Sequence, residues 1–334
     1  MDVSFLGGQE AWDQELVAYT YPPFTQLWAW GEAQRALGKR ILRQRIETAH
    51  GPVLAQWMEE RRGPFVYWFC PQGPVFPEGL AMKEVQDLQK ALQEGLPSTA
   101  RTIFYRVEPR IRSLTQVVAE QVGEAWLGAR RIRSLNPSTS FVVPLQGTAE
   151  EVQERMHKKT RYNIRLAERH AVIVRGGTER DRGIFFDLMR QTEERDGFSG
   201  HDQEYLETIC TTLCRYGNAR FRIAECLGKP LAVNFEVSCG DTVMYLYGAS
   251  SSEDREKMAP YALQWSAIFS ALQEGYRWYD FGGGNPEDET AFDARPSWEG
   301  ITRFKERWGS LRFREPGTFD VVQRPLLYKL LVRR

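Results

Sequence analysis

The sequence predicts an α+β protein made of two tandem units, and three observations carry that prediction. The chain has 334 residues, which at ~150 residues per domain is room for two. Residues 41–107 read as three strands, a helix and a fourth strand. Residues 219–283 repeat that order with little residue identity, so the repeat lies in the element order.

In the first copy, RILRQRIE is a strand, Gly51-Pro52 a turn, VLAQWMEE a strand, Gly63-Pro64 a turn and FVYWFC a strand. These segments alternate or are wholly apolar. MKEVQDLQKALQEGL follows as a helix with Val85, Leu88 and Leu92 at helical spacing, and TIFYRVE is the closing strand. In the second copy the strands are ARFRIAEC, LAVNFEVS and TVMYLYGAS, the helix is YALQWSAIFSALQEG, and the last strand is WYDFGG. Between the copies, the Pro and Ser residues of LNPSTSFVVPL mark a joint, and Thr148 with Glu151 forms a capping box opening a helix. The C-terminal RPLLYKLLVRR reads as a short amphipathic helix with Leu326, Leu327, Leu330 and Leu331 apolar, suited to docking on the first unit or to touching a membrane surface.

Composition narrows the function classes. Hydrophobic residues make up 42% and charged residues 26%, which excludes wholesale disorder, a coiled-coil rod and a polytopic membrane protein. Lys and Arg total 44 and so do Asp and Glu, so affinity for phosphates or RNA must come from a local patch. The five cysteines include no CxxC pair and the four histidines no HxxxH. Reduced thiols, no metal and no cofactor are expected. With an acid at position 2 and no basic-then-apolar start, the expected location is the cytoplasm.

Two clusters could carry chemistry. Residues 155–175 hold seven basic residues against the single acid Glu168. On a helix, Lys158, Arg161, Arg165 and Arg169 share one face and could hold phosphate oxygens, or the run could be only a solvated face. The second cluster, residues 278–309, runs from a strand through three glycines into a helix with Phe304 and Lys305. Glycines admit close backbone approach, and an amine in a partly desolvated setting could stabilise an oxyanion. On the TVMYLYGAS strand, alternation places Tyr245 and Tyr247 on one face, and Asn234 with Glu236 on one face of the preceding strand.

Antiparallel hairpins followed by a helix and a strand is the order of GNAT-type N-acyltransferases. Acetyl-CoA-dependent members carry a Q/RxxGxG/A run whose backbone N–H groups cradle the diphosphate. Here that junction is ASSSEDREKMAPYA, and its counterpart in the first copy, CPQGPVFPEGLAMK, has three prolines that remove donors. An ordinary CoA site is not expected in either unit.

In order along the chain, FTQLWAWGEAQ, YRVEP, KKTRYNIRLAER, YLYGAS, WYDFGGG and GITRFKERWG resemble the motifs of the Fem family of peptidyltransferases, which attach amino acids from aminoacyl-tRNA to the stem peptide of peptidoglycan precursors. The resemblance implies two GNAT-like lobes, residues 1–139 and 140–316, a C-terminal segment 317–334 returning to the first lobe, and no long coiled-coil arm. It implies transfer to a free amine of a UDP-linked or lipid-linked muropeptide, with aminoacyl-tRNA as donor, in cell-wall bridge formation. The expected protein is a monomer, with peripheral contact at the inner membrane face possible.

The resemblance also implies roles. Arg161, within Lys158, Lys159, Thr160 and Arg165, matches the family's diphosphate-binding arginine, and Lys305 after Phe304 its catalytic lysine. Glu108 stands where members usually have Asp and is a candidate base. Gln34, with Arg35 beside it, replaces a phosphate-contacting lysine. Tyr245 and Tyr247 join the substrate-binding candidates. The rival readings are a CoA-dependent N-acyltransferase on a similar fold and a non-catalytic protein that binds RNA or anionic lipid through the 155–175 face.

Overall fold

In a computed structural model, described here for residues 7–110, 129–197, 200–287 and 293–332, the chain divides into two units. Unit 1 comprises residues 1–139, 286–294 and 314–334, and unit 2 residues 140–285 and 295–313.

Unit 1 opens with α1 (Gln9–Val17), a 3-10 turn at Phe24–Gln26 and α2 (Trp28–Ala36). The strands β1 (Ile41–Ile46), β2 (Val53–Arg62) and β3 (Phe65–Cys70) form an antiparallel meander. Helix α3 (Met82–Glu94) then crosses to β4 (Thr102–Val107), which pairs parallel with β3. Parallel neighbours need such a crossover, and its apolar stripe covers the sheet. Val85 and Leu92 of α3 are buried against Trp57, Trp68 and Tyr105. Two short strands, β5 (Ala129–Ile132) and the later β13 (Thr318–Val322), complete the sheet order β1-β2-β3-β4-β13-β5.

Unit 2 carries β6 (Thr139–Pro144), α4 (Ala149–Glu154), α5 (Lys158–Arg169), β7 (Ile173–Gly176), α6 (Arg182–Asp196) and α7 (Gln203–Arg215). The capping box at Thr148 forms as the sequence predicts: its hydroxyl accepts from the Glu151 N–H at 3.3 Å, and the Glu151 carboxylate from the Thr148 N–H at 2.7 Å. The meander β8 (Ala219–Cys226), β9 (Lys229–Cys239) and β10 (Thr242–Ser250) leads through α8 (Ala259–Gln273) to β11 (Trp278–Gly283), again parallel to the last meander strand. Helix α9 (Glu299–Glu306) and β12 (Leu311–Arg314) follow, and the order is β12-β6-β11-β10-β9-β8-β7. The longest helices among the described residues have 15 residues, so none forms a long arm.

Strand β13 (Thr318–Val322) and helix α10 (Pro325–Leu331) bring the chain back into unit 1. β13 lies between β4 and β5, antiparallel to both. Asp320 of β13 is fully buried and takes two bonds from Arg106 of β4, at 2.6 and 2.8 Å, and a third from the Tyr328 hydroxyl of α10 at 2.7 Å. A buried carboxylate is tolerated only when paired in this way, and losing one partner costs about 3–5 kcal/mol.

Candidate functional site

Unit 2 joins the two clusters singled out in the sequence. The backbone N–H of His157, which caps α5, and the Thr160 hydroxyl both donate to the Arg307 carbonyl just past α9, at 2.9 and 3.0 Å. Thr160 is fully buried and serves this junction. Gly309 closes the turn at φ +71°, and a Cβ there would lie 2.9 Å from the Arg155 carbonyl oxygen. Only glycine meets both demands.

Around Lys305, the chain leaves β11 through Gly282, Gly283 and Gly284 and re-enters unit 2 as α9. Lys305 is 5% exposed, and its ammonium donates to the Gly283 carbonyl at 2.5 Å. Burial pushes its pKa down to about 8, opposed by the Asp280 carboxylate, because desolvation disfavours the charged form. Asp280, fully buried within β11, accepts from the Gly282 N–H at 2.7 Å and so shapes the exit of the strand. A side chain at Gly284 would strike the Phe141 ring at 2.4 Å. The Asn285 N–H donates to the Thr302 hydroxyl of α9 at 2.9 Å, tying loop to helix.

Asp280 was not among the residues predicted from sequence. Its signal is local: an aspartate two residues before the residue whose N–H it accepts, at the mouth of a glycine run, is a turn former.

Phe304 packs against the apolar core of unit 2. Its ring packs against Tyr261, Phe281 and Trp308 at 5.6, 6.2 and 5.9 Å. Tyr245 and Tyr247 do not share a face, which corrects the alternation argument. A bulge between them pairs Tyr245 with Glu236 but Tyr247 with Phe235, and one extra residue inverts side-chain direction. Tyr245 packs in the cluster with Val243, Ala267 and Ile268. Tyr247 lies 6.5 Å from Phe185 of α6 and 6.3 Å from Phe235. Burial lifts both phenols, Tyr245 to about 12.

The basic helix forms over Lys158–Arg169, with Lys158, Lys159, Arg165 and Arg169 exposed. Tyr162, Arg165, Glu168 and Arg169 line an open surface depression. Arg161 is half-buried, and its Nη1 donates to the carbonyls of Gln153, Glu154 and Met156, at 3.4, 3.1 and 2.5 Å. These carbonyls lie at and just past the C-terminal end of α4, where a cation is favoured; that of Gln153 also accepts from the Met156 N–H at 3.0 Å. Arg175 is committed elsewhere, to Asp181 and Glu225 at 2.8 and 3.0 Å.

The junction between β10 and α8 does not suit a CoA diphosphate. Lys229 clamps Glu253 and Asp254 there, at 2.5 and 2.8 Å, which leaves two carboxylates where an anion would approach. Among the described residues no group of three or more His, Cys, Asp or Glu side chains could hold a metal ion.

In unit 1, Glu108 is buried and its two oxygens accept four bonds: Oε1 from the Asn136 N–H and the Thr318 hydroxyl, Oε2 from the Gln72 N–H and the Asn136 amide, at 2.6–3.0 Å. Burial raises its pKa against those donors. A carboxylate offers about four lone-pair sites, and all are taken. Glu108 therefore ties three segments together through a carboxylate whose lone-pair sites are all engaged. Gln34 is buried in α2, whereas Arg35 is exposed and pairs with Glu32 at 2.9 Å.

The sequence model of the FemAB family matches residues 119–227 and 223–332, well over half of the chain. Lipid II:glycine glycyltransferase of Staphylococcus epidermidis (strain ATCC 35984) is 23% identical over 258 residues, 59% of this chain and 61% of that protein. The chain thus spans about three fifths of that relative's length. The protein of the same name from Staphylococcus aureus (strain COL) is 23% identical over 382 residues, covering 92% of this chain and 89% of its own. The crystal structure of FemX superposes with a TM-score of 0.84 at 19% identity, covering 98% of this chain and 99% of that one. A tandem GNAT protein from the clavulanic acid biosynthesis pathway gives 0.54 at 9% identity, covering 96% and 97%. Both show the fold, two GNAT-like units in tandem. The chain belongs to the FemAB family.

Proposed function

We propose that the protein is an aminoacyltransferase that extends the stem peptide of a peptidoglycan precursor, taking the amino acid from aminoacyl-tRNA and joining it to a free side-chain amine. The reading is supported by the name of the staphylococcal relatives, Lipid II:glycine glycyltransferase, and carried by one observation: a buried ammonium, Lys305, fixed beside a glycine turn.

Aminolysis of an ester is downhill and needs no metal; the barrier lies in bringing the partners together and in the charge on the tetrahedral oxyanion. The acceptor nitrogen attacks the ester carbonyl, the carbonyl oxygen becomes anionic, and the ester bond to the ribose oxygen breaks as that oxygen takes up a proton. Lys305 supplies positive charge to the oxyanion. It is held in place by Gly283 and by α9, so little reorganisation is needed as charge develops. Arg161 holds a precursor phosphate from the basic face of α5. With the lone pairs of Glu108 occupied, the acceptor's proton leaves to water or to the substrate itself.

The test is direct. The protein is incubated with a mixture of charged tRNAs and either UDP-linked or lipid-linked muropeptide, and the muropeptide is examined by mass spectrometry. An added residue that depends on charged tRNA supports the proposal. Addition from acyl-CoA instead, or RNA binding with no transfer, overturns it.

A further inference from the structure

Strand β11 is interrupted on both sides at one residue. Its parallel pairing with β10 ends at Met244 opposite Asp280, and its register with β6 shifts between Asp280 and Gly283. Where a ladder is interrupted inside a protein, its backbone groups need other partners. Two side chains of opposite charge take that part here. Asp280 accepts the Gly282 N–H at 2.7 Å, and Lys305 donates to the Gly283 carbonyl at 2.5 Å. A carboxylate and an ammonium thus hold successive residues of one bend, which Gly282 makes at φ +71°.

Asp280 is fully buried, and its neighbours across the two strands are apolar, Met244 on β10 and Val142 on β6. A buried carboxylate in such a setting is costly unless an opposite charge answers it. Its charge acts through space on the Lys305 ammonium, against the desolvation that favours the neutral amine. The other ionisable groups on the elements packed here are turned elsewhere or uncharged. Glu299, Arg303 and Glu306 of α9 are exposed, as is His157 at the cap of α5, Arg307 is partly exposed, and Arg312 of β12 pairs with Glu306. The adjoining core adds the phenols of Tyr245, Tyr261 and Tyr279. Burial raises Tyr245 to about 12 and Tyr279 well above its ordinary value, so both are neutral where Lys305 titrates.

We propose that Asp280 is a positioning residue for the transfer: its carboxylate fixes the exit of β11 that carries the Gly283 carbonyl, and it supplies the buried counter-charge to the Lys305 ammonium. Asp280 acts through Lys305 and not on the substrate. An enclosed amine without a counter-charge loses its proton near neutral pH, and a neutral amine offers an oxyanion far less. The inference rests on the role given to Lys305 above, so its test measures the pairing of the two charges apart from transfer.

Asp280→Asn keeps an oxygen to accept the Gly282 N–H and removes the charge; Asp280→Ser, smaller and also neutral, serves where the amide is not accommodated. Urea titrations across the pH range first compare each background with and without Lys305→Met, using no substrate. In the wild-type background the stability gained by Lys305→Met should be level up to about pH 8 and then fall. In the neutral variants the fall should begin about one pH unit lower or more, as for loss of a nearby opposite charge. Single-turnover transfer, with UDP-linked or lipid-linked muropeptide and mixed charged tRNAs, then gives the ratio of wild-type to variant rates, in which titration of the acceptor amine cancels. That ratio should climb roughly tenfold from about pH 6 to about pH 9, the factor that one unit of displacement gives. A merely structural role leaves the ratio independent of pH. If neither variant displaces the fall in stability gain while Lys305→Ala still slows transfer, the proposal is overturned and Lys305 keeps its role. A displaced fall with a rate ratio independent of pH overturns the role of the Lys305 charge, and the proposal with it.

Discussion

The Lys305 ammonium lies 2.5 Å from the Gly283 carbonyl oxygen, buried, with its pKa pushed down to about 8. The unfolded chain holds that proton up to about 10.4. Between those values the unfolded state binds more protons than the folded one, so stability rises with pH across that window. Below about 8 the folded protein bears the whole penalty of a buried charge. Lys305→Met should therefore stabilise the protein at pH 7 by about 1–3 kcal/mol, after the lost bond to Gly283 is counted. The gain should fade above about pH 10, where the lysine is neutral in both states. Urea titrations at pH 7 and pH 10 measure it, and an equal gain at both would remove the buried charge as the cause.

The same titration separates two roles for Lys305 in transfer. An oxyanion stabiliser must be charged, so the ratio of the wild-type to the Lys305→Ala single-turnover rate, in which titration of the acceptor amine cancels, should fall as pH rises through about 8. A base must be neutral, and that ratio would rise through the same value. Lys305→Ala should lower kcat roughly 10²–10³-fold with precursor affinity little changed, as for loss of one oxyanion donor. Lys305→Arg should not restore it, because a planar guanidinium cannot occupy the same enclosed point. Near-normal transfer by the alanine variant would reduce Lys305 to a positioning residue.

Glu108→Gln tests whether four donors on one carboxylate are structural. The amide brings its own donor to face the Gln72 N–H or the Asn136 amide, and a buried mismatch costs about 1–3 kcal/mol. Thermal melts should show that loss. The alkaline and acidic limbs of the transfer rate should stay where they are, since no lone pair of Glu108 was free to take a proton. A displaced acidic limb with unchanged stability would return Glu108 to the role of base.

The meander, crossover helix and parallel strand of each unit were legible because their signals are local. Period-2 alternation, Gly-Pro turns and the Val85, Leu88, Leu92 stripe each lie within a few residues of what they determine. The tie between Arg106 and Asp320 spans 214 positions and leaves no local pattern. Tyr245 and Tyr247 were misassigned because a bulge is invisible to alternation: one unpaired residue, Leu246, sends the second ring to the other face. The glycine run and Lys305 could be singled out as chemistry, but not Asp280 as the charge opposing the lysine's desolvation. Glu108 could be marked by its position in YRVEP, but not as buried, because its partners Gln72, Asn136 and Thr318 come from three distant segments.

Gly309→Ala probes the junction of α5 with α9. At φ +71° the methyl group adds strain of about 1 kcal/mol, and 2.9 Å from the Arg155 carbonyl it has no flexible neighbour to displace. The expected loss is about 2 kcal/mol or more, because backbone must shift. Since this turn also positions the Arg307 carbonyl under Thr160, transfer should fall further than the melting temperature alone would suggest. An alanine variant with unchanged stability would show that the turn relaxes freely.

Arg161 has two separable jobs, and its substitution should reveal both. Nη1 alone makes the bonds to the carbonyls of Gln153, Glu154 and Met156, so the cap on α4 is worth about 1 kcal/mol of stability, the net value of an ordinary hydrogen bond with some charge assistance. If the same guanidinium also holds a precursor phosphate, Arg161→Ala should raise KM for the muropeptide by the equivalent of about 1.5–3 kcal/mol, roughly ten- to hundred-fold, with kcat little changed. Arg161→Lys keeps the charge but presents one compact ammonium, which can serve the carbonyls or the phosphate but not both in the fork geometry. It should recover more of the melting temperature than of KM. A loss of stability with KM unchanged in both variants would leave Arg161 as a helix cap and move the phosphate site to the exposed Lys158, Lys159 and Arg165.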